Sequence, residues 1–181
     1  GITISDMIKA IKHFATITKH RHMVIKFCLM AGIPVQGLLH DLSKYSFTEF
    51  SIGARYYQGN RSPNDREREL FGYSMAWLHH KGRNKHHYEY WSDFNPKERK
   101  VLPVDMPDKY IKEMFCDRLA ASLIYKKENF TNGCLREFFN REKNHFAMHE
   151  NTQRKLENLM IILEEKGQKE VFRYMRQHKT L

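Results

Sequence analysis

The chain has 181 residues, 41% hydrophobic and 13% aromatic, enough to build one buried core and to exclude an intrinsically disordered polypeptide. No apolar run approaches the roughly 20 residues of a membrane span, and Gly1-Ile2-Thr3-Ile4-Ser5-Asp6 lacks the basic and apolar stretches of a signal peptide, so no membrane partner and a cytoplasmic location are expected. Lys and Arg outnumber Asp and Glu by 31 to 21, and the resulting +10 favours anionic partners: phosphorylated small molecules, nucleic acid or acidic surfaces.

Ile4, Ile8, Ile11, Phe14 and Ala15 recur at helical spacing and predict a first helix with Ser5 as its cap. A second helix is expected from Thr18 to Ala31, ended by Gly32 and Pro34. A short helix from Val35 carries His40-Asp41 near its end, and after a turn another short helix starts at Thr48. Gly59 to Asn64 reads as a loop, Asp65 to His80 as one helix stopped by Gly82, and Asn84 to Trp91 as a turn or two. Residues 95–107 form an extended connection, and Pro107 opens a long helix to about Lys127. Two or three more helices are predicted, over about 132–145, 151–166 and 168–177. Leu156, Leu159, Met160 and Leu163 repeat at helical spacing and cover either the core or a partner in a homodimer. With no sustained β alternation, residues 1–181 read as an all-α single domain. Cys28, Cys116 and Cys134 are far apart and odd in number, as expected of buried free thiols, and the absence of CxxC excludes a zinc ribbon.

The most chemically pointed stretch is Gly37-Leu38-Leu39-His40-Asp41-Leu42-Ser43-Lys44. An imidazole beside a carboxylate offers a neutral nitrogen and a hard oxygen, a pair suited to Mn, Fe, Co, Ni or Zn. Further candidate ligands flank it. The chain holds 11 histidines, among them His20 and the pairs His79-His80 and His86-His87 around Gly82. Adjacent residues on a helix point about 100° apart, so one member of each pair can face a metal. Asp117 lies in Phe115-Cys116-Asp117-Arg118-Leu119-Ala120-Ala121, a packed context in which a carboxylate is costly unless paired or metal-bound.

The order His20, His40-Asp41, His79/His80, His86/His87, Asp117 resembles the HD superfamily of metal-dependent phosphohydrolases over about residues 18–125. Leu38-Leu39-His40-Asp41-Leu42-Ser43-Lys44 is similar to that family's defining motif, including a Lys three residues after the Asp, and Asp117-Arg118-Leu119-Ala120-Ala121 is similar to its last ligand motif. Trp77-Leu78-His79-His80-Lys81-Gly82 resembles the extra histidines of members that hold two or more metals. The stretch from Lys81 to Trp91 looks like a small bacterial family of HD-like proteins without an assigned activity. Lys44 stands where some nucleotidase members carry Glu, so their mechanism is not carried over.

The resemblance implies an HD-like helical bundle with a metal site in its core. His20, His40, Asp41 and Asp117 would hold one divalent ion; a second would add one His from each later pair, with Asp41 as the bridge. Bound metal lowers the pKa of water and makes hydroxide available near neutral pH. Lys44, Arg83 and Arg21 would bind phosphate oxygens of a small phosphorylated substrate, a nucleotide among the candidates. Glu89 or an unligated His would act as general acid. Two other readings are an HD-type di-iron oxygenase, permitted by the extra histidines, and a non-catalytic helical module for nucleotides or nucleic acid, motivated by the +10 charge.

Overall fold

The computed structural model describes residues 1–181. The two helices expected before Gly32 are one, α1 (Ile4–Met30). Nothing between Ala15 and Thr18 breaks the backbone ladder, and Thr16 turns its hydroxyl back to Lys12 O at 2.9 Å. The cap is Thr3, two residues before the expected Ser5. Thr3 Oγ1 accepts from Asp6 N at 3.1 Å, and the Asp6 carboxylate accepts from Thr3 N at 2.9 Å, a reciprocal capping box.

After Gly32 the chain forms α2 (Pro34–Leu39) and α3 (Phe47–Arg55), the latter capped by Ser46. Gly37 lets α2 lie against α1. A Cβ there would meet Cys28 Cβ at 2.7 Å and Ile25 Cα at 3.3 Å. Neither atom can swing away, so Gly37→Ala is expected to cost about 1–3 kcal/mol through overpacking. An unchanged urea midpoint would contradict this.

The single helix expected over 65–80 is two: α4 (Pro63–Phe71) and α5 (Met75–Lys81). Gly72 takes φ 80°, a left-handed conformation that ends α4. Ser74 then caps α5, accepting from Trp77 N at 3.0 Å. Glu67 ties the two together by accepting from Ser74 Oγ at 2.5 Å and Met75 N at 2.9 Å. The break re-aims α5, and with it His80.

Within the connection expected to be merely extended, Ser92–Asn95 (β1) and Lys100–Pro103 (β2) pair antiparallel, Ser92 opposite Pro103. The remaining helices are α6 (Asp108–Lys126), α7 (Cys134–Glu142), α8 (Glu150–Lys166) and α9 (Gln168–Gln177). The fold is all-α apart from that hairpin.

The core is built where α1, α6, α8 and α9 meet, from Val24, Phe27, Ile111, Phe115, Leu119, Leu156, Phe172 and Met175 among others. Leu156, Leu159, Met160 and Leu163 are all buried in it, so this stripe covers the chain's own core. All three cysteines are buried free thiols. The buried Lys112 ammonium donates to Met175 O at 2.9 Å and His178 O at 2.6 Å, closing the end of α9 onto α6. No helix is long and apolar enough to cross a membrane.

Candidate metal centre

Long α1 brings His20 to the middle of α6, where its Nε2 meets Asp117 Oδ1 at 2.7 Å. α2 stops at Leu39, which leaves His40 and Asp41 on a sharp turn rather than on a helix. Asp41 takes φ 53°, a left-handed conformation that a non-glycine residue adopts at a cost of roughly 1–2 kcal/mol. That turn sends both the His40 ring and the Asp41 carboxylate inward, each about 1% exposed. His80 arrives from the last turn of α5, and His86 and His87 from the turn that follows Gly82.

Three clusters of possible ligand atoms result, in each of which the atoms lie within 4.8 Å of one another. His20, His40, Asp41 and Asp117 form one ligand group, and Asp41, His80, His86 and His87 form the other. In the third cluster, His40, His86 and Glu113, the carboxylate meets the opposite ring nitrogens, Nδ1, behind these two groups. Asp41 belongs to both ligand groups and divides its oxygens between them. Its Oδ2 is 3.3 Å from His40 Nε2, and its Oδ1 is 3.2 Å from both His80 Nε2 and His86 Nε2. His40 Nε2 is also 3.3 Å from Asp117 Oδ1. Ligands at ~2.1 Å from a common ion stand about 3.0–3.4 Å apart at octahedral to tetrahedral angles. The contacts of Asp41 and His40 fall in that range, whereas His20 Nε2 to Asp117 Oδ1 at 2.7 Å and His80 Nε2 to His87 Nε2 at 2.9 Å are hydrogen-bonded pairs that an ion would spread slightly.

Hydrogen bonding points the same way. His40 Nε2, His86 Nε2 and both Asp41 oxygens are buried without a well-directed hydrogen-bond partner. Buried polar atoms left so are rare and costly. Behind them, His40 Nδ1 donates to Glu113 Oε1 at 3.0 Å, and His80 Nδ1 donates to Glu49 Oε2 at 2.8 Å. Carboxylates on the far nitrogen hold such rings with Nε2 facing the site.

The electrostatics are those of a cation site. Burial works to raise Asp41, but His40, Lys44 and His80 outweigh it and hold the carboxyl well below its ordinary range. Burial likewise opposes ionisation of Asp117, and His20 and His40 keep it low. Burial and the neighbouring His40 push His86 down, yet Asp41 and Glu113 bring it up to about 9. His87 is pushed well down by burial, then by His86 and His80, and stays a neutral nitrogen donor. The carboxylates thus draw protons onto imidazoles, charge that a metal ion would replace.

Lys44, one turn after Asp41, puts its Nζ 2.8 Å from Asp41 Oδ2. It lines a cleft of about 190 Å³ together with His20, Asp41, His80, His87 and Asp117. Thr16, Ser62, Asn64, Trp77 and Tyr125 make up part of the remaining wall.

Three expected residues are placed elsewhere. His79 is outside both groups, its Nδ1 held by Glu49 Oε1 at 2.6 Å, because α5 aims His80 inward and its neighbour away. Arg83 donates to His79 O at 3.1 Å and lines a separate hollow with Gln36, Leu39 and Glu113. Arg21 donates to His40 O at 3.2 Å and to Leu38 O, so its guanidinium braces the end of α2. Conversely, both members of the second pair join one group, since His86 and His87 sit in a turn where helical geometry does not separate them. Of the expected general acids, Glu89 does not line the cleft, and His79, the paired histidine left outside both groups, is held by Glu49.

Sequence reasoning missed Glu49 and Glu113. Glu113 lies one helical turn before Asp117, between Lys112 and the apolar run Met114-Phe115-Cys116, and that spacing was the available signal. Glu49 follows Ser46 by three residues, which reads as a capping box. Ser46 Oγ does accept from Glu49 N at 3.4 Å, but the carboxylate turns to His79 and His80 instead.

No curated protein and no solved structure matches the chain. Residues 9–162 match the family of unknown function DUF5662, and the chain belongs to that family.

Proposed function

We propose that this protein is a metal-dependent phosphohydrolase of the HD type, acting on a small phosphorylated compound, with nucleotides among the candidates. The observation that carries the reading is Asp41: one buried carboxylate shared between two inward-facing ligand groups, with a lysine ammonium against it in the lining of a cleft. His20, His40, Asp41 and Asp117 would hold one ion, and Asp41, His80, His86 and His87 the other. Divalent ions bound there supply Lewis acidity and water of lowered pKa.

The chain's own residues then define what the cleft accepts. Asp41 and Asp117 are the only carboxylates in the two ligand groups, and five imidazoles complete them. With Glu49 and Glu113 behind the imidazoles, four carboxylates balance two divalent ions, and Lys44 leaves the centre with a net positive charge. Such a site selects an anion. Lys44, held next to Asp41, is placed to bind a phosphate oxygen and offset charge that develops on it. Thr16, Ser62 and Asn64 offer hydroxyl and amide partners to the rest of the molecule, and Tyr125 keeps its proton because burial raises its pKa.

The test is protein purified without chelator, assayed for metal content and against a broad phosphoester panel. Lys44→Ala is expected to lower kcat/KM by about 100-fold, the cost of losing one charge-stabilising donor, with metal content unchanged. Metal-loaded protein that stays silent across the panel would remove the reading. A second reading, a di-iron oxygenase of HD type, is favoured by the imidazole-rich set, which suits iron as well. Two irons per chain with oxygen uptake and no phosphate release would put it first.

A further inference from the structure

Glu113 stands behind both ligand groups. Its Oε1 accepts from His40 Nδ1 at 3.0 Å and lies equally close, 3.0 Å, to His86 Nδ1. His40 belongs to the group with His20 and Asp117; His86 belongs to the group with His80 and His87. The carboxylate is itself buried on α6, one turn before Asp117.

We infer that Glu113 is a positioning residue for both metal positions at once and couples them, so that two ions bind cooperatively. A neutral imidazole has a single N–H. Given to Glu113 at Nδ1, it leaves Nε2 as a lone pair, the form a metal ion needs. Both Nε2 atoms are buried and unpartnered, and both face Asp41. One oxygen therefore sets the tautomer and direction of two rings that serve different ions. Fixing His40 on the first ion also fixes Glu113 Oε1, and with it the anchor of His86. The ordering cost of that anchor is met once, and the second ion binds to a site already arranged.

Glu49 provides the contrast. It holds His80 and His79, of which only His80 belongs to a ligand group, so it serves the second position alone. The inference rests on the two-ion centre proposed above but not on phosphoester hydrolysis.

The experiment titrates chelator-stripped protein with zinc against a competing chromophoric chelator and reads the ring nitrogens by long-range 15N–1H NMR. The full-length wild type is expected to take two ions, the second at least as tightly as the first, with His40 and His86 both protonated at Nδ1. Glu113→Gln keeps the shape and removes the charge, and is expected to weaken both binding steps by about 10–100-fold. Glu49→Gln should weaken one step only. Circular dichroism confirms that each variant is folded. If Glu113→Gln does not fold, the wild-type tautomers decide: a proton on Nε2 of either ring in zinc-loaded protein overturns the inference. Weakening of one step or none in Glu113→Gln also overturns it, as does a wild type that binds fewer than two ions. Because no step reads phosphate release, a silent phosphoester screen leaves the result intact.

Discussion

Asp41→Asn protein should come off the column without either ion. Asp41 is the only residue in both ligand groups, with Oδ2 toward His40 and Oδ1 toward His80 and His86. Asparagine replaces one of those oxygens with an NH2 donor and removes the charge that opposes two cations. Whichever way the amide turns, one group meets a hydrogen where it needs a lone pair. The expected loss exceeds the roughly 10–100-fold that outer-shell changes cost, and it applies to both ions. Asparagine also tolerates the left-handed backbone at this position, so the turn itself is kept, and circular dichroism separates lost binding from lost folding. Elemental analysis of parent and variant purified side by side reads the outcome. Full retention of either ion by Asp41→Asn would show that the two groups do not share this ligand.

Stripping the metal should lower Tm on the order of 10 °C or more. A ligand that binds only the folded state adds about 4 kcal/mol when free ion exceeds its dissociation constant 1,000-fold, and ~1 kcal/mol moves Tm roughly 2–4 °C in a chain of this size. The site gathers side chains from α1, α6, the 40–41 turn, α5 and the 86–87 turn, so ions there would tie together segments far apart in sequence. Scanning calorimetry with and without excess chelator, followed by reloading, measures the shift. Asp41→Asn should show no chelator-dependent change. Identical unfolding curves for stripped and reloaded wild-type protein would mean the clusters hold no structural ion.

What the sequence made legible followed from how local each signal was. α9 was read over its observed span because an amphipathic pattern and Gly167 bound it within ten residues. The division of α4 from α5 depended on Gly72 adopting a positive φ, which a glycine inside a helical pattern permits but does not announce. The hairpin escaped notice because each strand has four residues, mostly exposed, too few to establish an alternation. In the site, His20, His40-Asp41 and Asp117 stood out by residue type and context, and the structure brings them together. The choice between His79 and His80 turned on the orientation of α5, which is set by the Gly72 break and the Glu67 tie. Glu49 and Glu113 looked ordinary because their partners are distant in sequence.

Of the elements that carry the site, α6 is the most deeply enclosed: every residue from Ile111 to Cys116 is buried, while α5 leaves Met75 and Leu78 nearly half exposed. Amide hydrogens in such a segment exchange only when most of the molecule unfolds, whereas a short, half-exposed helix opens at far lower free energy. The two sides of the centre therefore differ in how often they breathe. Glu113 and Asp117 belong to the slow side, and His80, His86 and His87 to the fast one. Loading and release of metal would then run through brief openings of α5 and the turn behind it, past a scaffold that keeps its shape throughout.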